Sequence, residues 1–128
     1  MKDYKKYYEI PATPDEIYRA MTNPLAIKLW SGEDAVMSTE AQTEFELFGG
    51  SICGKNLEFE EDKKIVQEWY FDNEGQAPSI VTIKLHEQPN GTSVELRHSN
   101  IPDEDYEDIV EGWNEVYFAG LDEFFGEE

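Results

Sequence analysis

Cysteine is nearly missing from this chain, Cys53 being its only one in 128 residues. A single thiol can make neither an intrachain disulfide nor a multi-thiolate zinc or iron–sulfur site, and it points to a reducing, cytoplasmic setting. Positive charge is scarce too. Ten Lys and Arg stand against 29 Asp and Glu, a formal charge of −19, and none of the ten follows Arg97. Such a surface repels phosphate backbones and anionic lipid, which argues against nucleic-acid and membrane-surface partners and leaves a basic protein partner open. Long apolar runs are also lacking. The stretch Met1-Lys2-Asp3-Tyr4-Lys5-Lys6-Tyr7-Tyr8 has cations without the apolar core of a signal peptide, and no segment is long enough to insert into a bilayer. The length is that of one domain, residues 1–128.

What the chain does have is a ring-rich C-terminal stripe. Tyr106, Ile109, Val110, Trp113, Tyr117, Gly120, Leu121, Phe124 and Phe125 recur at spacings of three and four, which predicts one long amphipathic helix from Pro102 to Phe125. Pro102 and Asp103 open it, and Glu107, Asp108, Glu111, Glu115, Asp122 and Glu123 take its wet side. Gly112 lies inside it at a cost of about 1 kcal/mol relative to alanine, which suggests close approach of the helix to the sheet or a ligand there.

Every strand-like segment precedes that helix. A first strand ends at Tyr7-Tyr8-Glu9-Ile10. Thr13-Pro14-Asp15-Glu16 then opens a helix as a capping box, with Ile17, Tyr18 and Met21 inward. Thr22-Asn23-Pro24 breaks it, and Leu25, Ile27, Leu29 and Trp30 suggest a second short helix ending at Ser31-Gly32. Strands follow at Ala35 to Met37, Thr43 to Phe48, Ile52 to Phe59, Ile65 to Phe71, Ile80 to His86 and Ser93 to His98. They are separated by a Gly49-Gly50 hairpin, a turn at Glu61-Asp62-Lys63, a loop from Asn73 to Pro78 and a turn at Pro89-Asn90-Gly91. Alternation sets Val81, Ile83 and Leu85 on one face, and likewise Val94, Leu96 and His98, as expected of an antiparallel meander with one buried side. Ile52 and Leu57 have opposite parity, so Gly54 reads as a bulge, and either Asn56 and Glu58 or Leu57 and Phe59 face inward. The predicted fold is α+β: a strongly curved antiparallel sheet of six or seven strands wrapped around the C-terminal helix, with two short helices after the first strand.

The sequence resembles the START-like, or helix-grip, superfamily, in the branch of the activator of Hsp90 ATPase homologue family. The resemblance runs over nearly the whole chain. It rests on Ile10-Pro11-Ala12-Thr13-Pro14 with Ile17-Tyr18, Thr22-Asn23-Pro24 with Trp30, Gly49-Gly50, Gly54, Trp69, Ser79 to Thr82, Gly91-Thr92 leading to Leu96 and His98, and Gly112-Trp113 with Leu121. Tyr18 stands where such families usually have Trp, and Asn56 where they have an apolar residue. The resemblance implies a cavity for a small apolar or amphipathic molecule between sheet and helix, with no cofactor. It also allows an Hsp90-type chaperone as partner, or cyclase or hydrolase chemistry.

The residues expected around such a cavity are Trp30, Phe45, Leu47, Leu57, Phe59, Trp69, Phe71, Val81, Ile83, Leu85, Leu96, His98, Trp113, Tyr117 and Leu121. Buried rings serve packing equally well. His98, facing inward, is expected to be a satisfied structural imidazole or else an acid–base group. His86, of opposite parity, faces water and forms no metal pair with it. Glu58 and Glu68 are the carboxylates expected nearest the interior, where burial would raise their pKa. Cys53 reads as a small apolar filler more than a nucleophile, no activating cationic group or helix start being evident. No nucleophile, metal set or paired acid and base stands out.

Overall fold

Thr13 accepts the chain from the first strand and turns it into a helix, because the Glu16 carboxylate takes the Thr13 backbone N–H at 3.1 Å and Pro14 occupies the first helical position. In the computed structural model, which describes residues 1–71 and 77–126, this gives β1 (Lys2–Ile10), α1 (Pro14–Thr22) and α2 (Pro24–Ser31). Asn23 caps α2 by accepting from the Leu25 and Ala26 N–H groups. Gly32 ends it in the left-handed region at φ 79°. The sheet follows as β2 (Thr43–Leu47), β3 (Ile52–Glu60), β4 (Lys64–Trp69), β5 (Ser79–Gln88) and β6 (Gly91–Ile101). Its order is β1-β6-β5-β4-β3-β2, with every neighbouring pair antiparallel.

The expected alternation holds. Val81, Ile83, Leu85, Val94, Leu96 and His98 are all buried on one face, together with Ile65, Gln67 and Trp69 of β4. The expected strand at Ala35 to Met37 reduces to a single bridge between Val36 and Glu46. Phe71 lies beyond the end of β4. Most of the expected loop from Asn73 to Pro78 lies outside the described residues.

The bulge is real but sits elsewhere. The β3–β4 register slips between Asn56 and Glu58, so the extra residue is Leu57 and not Gly54. The slip resolves the parity conflict, since Gly54 and Asn56 are buried before it and Leu57 and Phe59 are half-buried after it. Gly54 serves close packing instead. A Cβ there would lie 1.9 Å from the Glu68 carbonyl oxygen and 2.7 Å from the Phe45 ring.

The C-terminal helix is not a single α-helix. A 3-10 turn, Asp103–Asp105, leads into α3 (Tyr106–Gly112), then a five-residue π turn, Trp113–Tyr117, then α4 (Phe118–Gly126). A straight α-helix would set Phe118 about 140° away from Trp113. The wider π turn brings both into the core with Tyr117, their ring centroids 4.8 to 5.7 Å apart. The same rotation leaves Phe124, expected inward, 38% exposed. Asn114 anchors the turn to β1: its amide accepts from Tyr8 and Lys6 and donates to Tyr4 and to Val110 O, all within 3.0 Å. Phe118 stacks on Tyr8 at 3.8 Å. Gly112 has open space where a Cβ would be, so the helix does not press on the sheet there; close contact occurs at Gly120, where a Cβ would lie 3.1 Å from the Trp30 carbonyl oxygen.

Candidate functional site

Between sheet and helix the space is filled by the protein's own side chains. Trp69 and Trp113 stack at 4.6 Å, and Trp30 meets Tyr117 edge-on at 5.0 Å. Phe45, Leu47, Leu96 and Leu121 are almost wholly buried around them. Polar groups inside this core are paired in sequence. Asn56 donates to Thr43 and accepts from Gln67, which in turn accepts from the Trp69 indole. The Trp113 indole donates to His98 Nδ1 at 3.0 Å. An indole N–H is a donor only, so the remaining imidazole proton sits on Nε2 and is shared with Ser79 Oγ at 2.8 Å. The Ser79 hydroxyl donates onward to Trp69 O. Both ring nitrogens of His98 are therefore engaged, and burial holds its pKa at about 3. This is the satisfied structural imidazole.

The pH dependence that follows has a definite sign. His98 titrates at about 3 when folded against 6.5 ordinarily, so as pH falls the unfolded chain takes up this proton first. Its stabilisation is complete above 6.5 and is lost progressively toward about 3, at about 1.4 kcal/mol per pH unit. Urea unfolding at about pH 5 should give a free energy about 2 kcal/mol below that at about pH 7. His98→Gln should flatten that difference; an unchanged profile in the variant would assign the acid sensitivity to another group. Glu95 acts in a lower window. Hydrogen bonds from His86 and Arg97 hold its carboxyl at about 2, so its contribution fades only below its ordinary 4.5.

An opening does remain, at the mouth of the sheet. Phe48, Ser51 and Ile52, with Trp69, meet Ile109, Gly112, Trp113, Val116 and Tyr117 around a largely apolar cleft of about 190 Å³, with Asp108 at its edge. A broader and more polar hollow of about 460 Å³ adjoins it and shares Ser51, Ile52, Trp69 and Ile109. Cys53, Tyr70, Phe71 and Asp105 line that outer part. The half-buried Cys53 donates to Gly50 O at 3.3 Å.

Of the residues expected around a cavity, Trp69, Trp113 and Tyr117 border the cleft and Phe71 the outer hollow. Trp30, Phe45, Leu47, Val81, Ile83, Leu85, Leu96, His98 and Leu121 are instead packed into the core. Leu57 is the bulge itself and Phe59 lies past it, toward the other end of β3. Glu58 is exposed and pairs with Lys64, and Glu68 alternates with the buried Gln67 and Trp69. Neither carboxylate approaches the interior, because the Leu57 bulge and the β4 alternation turn both outward. His86 and His98 lie on opposite faces of the sheet. Sequence reasoning missed Phe48, Ile52, Ile109 and Val116 as cleft walls. Ile109 belonged to the recognised helical stripe, but only tertiary geometry shows that the stripe overhangs the sheet there.

This architecture matches known proteins. The family model described as "Activator of Hsp90 ATPase homolog 1-like protein" fits residues 11–126. A Dictyostelium discoideum protein, "Activator of 90 kDa heat shock protein ATPase homolog", is 30% identical over 115 residues, covering 88% of this chain and 30% of that protein. The Homo sapiens activator homolog 1 is 25% identical over 116 residues, covering 89% and 34% respectively. The chain thus spans about a third of the length of these curated relatives. The crystal structure of an HSP90 activator from Plasmodium falciparum superposes with a TM-score of 0.88 at 26% identity, covering 98% of this chain and 97% of that one. The solution structure of the Aha1 dimer from Colwellia psychrerythraea shares the fold, with a TM-score of 0.81 at 20% identity, covering 98% and 96%. No helix among the described residues is long and apolar enough to cross a membrane. The chain belongs to the activator of Hsp90 ATPase homolog 1-like family.

Proposed function

We propose that this chain is a chaperone-interacting module that binds an Hsp90-type chaperone through its surface. The observation that carries this reading is the filled interior. Trp69, Trp113, Tyr117 and His98 bond and stack with one another and leave a small cleft at the mouth of the sheet, which favours recognition of a large partner by the outside of the molecule. The family supports the same partner, as does the likeness over matching length to a structure described as an HSP90 activator. A cytoplasmic setting suits the lone thiol. With a charge of −19, association should be steered by charge and screened by salt. Binding of the purified chain to an Hsp90-type chaperone should be detectable at low ionic strength and weaken about tenfold on raising salt from roughly 0.02 to 0.2 M. No binding even at the lowest salt would remove this reading.

The cleft favours a second role. Engineered apolar cavities of about 150 Å³ accept benzene, whereas pockets for drug-sized ligands begin at about 300 Å³. The 190 Å³ cleft is by itself suited to one ring or branched aliphatic group, and a longer ligand would extend into the adjoining hollow of about 460 Å³. Native mass spectrometry of gently purified protein tests this, a retained adduct of single-ring size supporting it and bare protein opposing it.

A further inference from the structure

Helix α2 has two apolar faces and uses only one of them. Ile27 and Trp30 turn into the core, while Leu25 and Leu29, one turn apart, are 77% and 73% exposed. Phe124 of α4 extends this patch. Leu29 and Phe124 line one surface dimple together with Trp30, Gly120 and Glu123. The platform beneath is closely packed. Gly120 lets α4 press onto Trp30, the Trp30 indole donates to Ala20 O at 2.8 Å, and the Trp30 ring meets Tyr117 edge-on. Leu25 and Leu29 thus stand largely in solvent beside Phe124, whose ring meets Phe125 edge-on at 5.0 Å, and together they make an exposed apolar patch on packed helices.

Charge selects the occupant. Lys28, the one cation of α2, is held by Asp34 at 2.9 Å. Glu33 follows α2, Glu123 lines the dimple itself, and neither α3 nor α4 contains a Lys or Arg. A second copy of this chain would bring acidic rim against acidic rim, each molecule carrying −19, which charge repulsion disfavours. A partner face of aliphatic side chains ringed by Lys and Arg fits both the centre and the rim. We infer that Leu25, Leu29 and Phe124 form the face by which this chain docks onto a basic, apolar-centred surface of an Hsp90-type chaperone. This inference rests on the chaperone reading above.

The test compares three forms of the full chain for binding to an Hsp90-type chaperone at low ionic strength: the native sequence, the double substitution Leu25→Ser with Leu29→Ser, and Tyr7→Ser as an exposed control on β1. Leu25 and Leu29 are largely in solvent, so circular dichroism and the unfolding midpoint should be unchanged. The expected result is at least a tenfold rise in Kd for the double variant and less than a twofold change for Tyr7→Ser. Native protein that fails to bind would overturn both this inference and the chaperone reading. Native binding that survives the double substitution would overturn the surface alone. Concentration-dependent dimerisation abolished by the double substitution would replace the chaperone with a second copy as occupant.

Discussion

Trp113→Ala is expected to lower the unfolding free energy by about 4 kcal/mol, a large share of what a domain of this size possesses. Two effects combine. Truncation empties the space of a fully buried indole that stacks on Trp69 at 4.6 Å and touches Tyr117 and Phe118. It also removes the donor to His98 Nδ1, leaving a buried acceptor unpaired. Trp113→Phe separates the two, because it keeps most of the ring packing but not the N–H. That variant should lose about 1 to 2 kcal/mol and show a smaller fall in stability between about pH 7 and pH 5 than the native protein, since a bare Nδ1 is free to accept a proton in the folded state and the gap to the unfolded chain narrows. Denaturant unfolding of both variants at two pH values checks this. Equal losses in the two would show that the indole hydrogen bond, and not ring packing, holds the helix.

Gly54→Ala should cost about 3 kcal/mol for a single methyl group, read as a fall of about 10 °C in Tm. Gly54 is flanked by Phe45 on β2 and Trp69 on β4, and a Cβ would sit 1.9 Å from the Glu68 carbonyl oxygen. A flexible side chain could swing away from such a contact, but backbone in the middle of a sheet cannot. The β2–β3 edge would have to separate from β4, so the cleft walls at Ile52 and Trp69 should move as well. By contrast, Gly112→Ala meets nothing within 4 Å and should be neutral or slightly stabilising through helix propensity. Thermal melts of the two variants give the comparison, and equal stability would refute the close-packing role of Gly54.

How far the sequence announces these features depends on whether their cause is local. Val81, Ile83 and Leu85, with Val94, Leu96 and His98, alternate because one face of a strand is dry, and the antiparallel order follows from short turns. Thr13, Pro14 and Glu16 announce a helix start within four residues. Asn56 could not be placed, because its partners Thr43 and Gln67 lie 13 and 11 residues away and no nearby residue hints at a polar interior. The Leu57 bulge likewise depends on strand pairing. The π turn has no signature in the stripe from Tyr106 to Phe125, yet it exchanges Phe124 for Phe118 in the core. It also explains why Gly120, not Gly112, is the point of close approach. The cleft exists because α3 overhangs the β3–β4 end of the sheet, a relation between distant segments. Leu25 and Leu29 were legible as helical, but not as the outward face, since either side of α2 is apolar.

Hydrogen exchange followed by mass spectrometry, with and without an Hsp90-type chaperone, tests most directly whether this protein works from its exterior. Added chaperone should protect the peptides covering α2 and α4 and leave those carrying Gln67, Trp69 and His98 unchanged. Protection confined to the strands around Trp69 and His98, or absent everywhere at low salt, would contradict it.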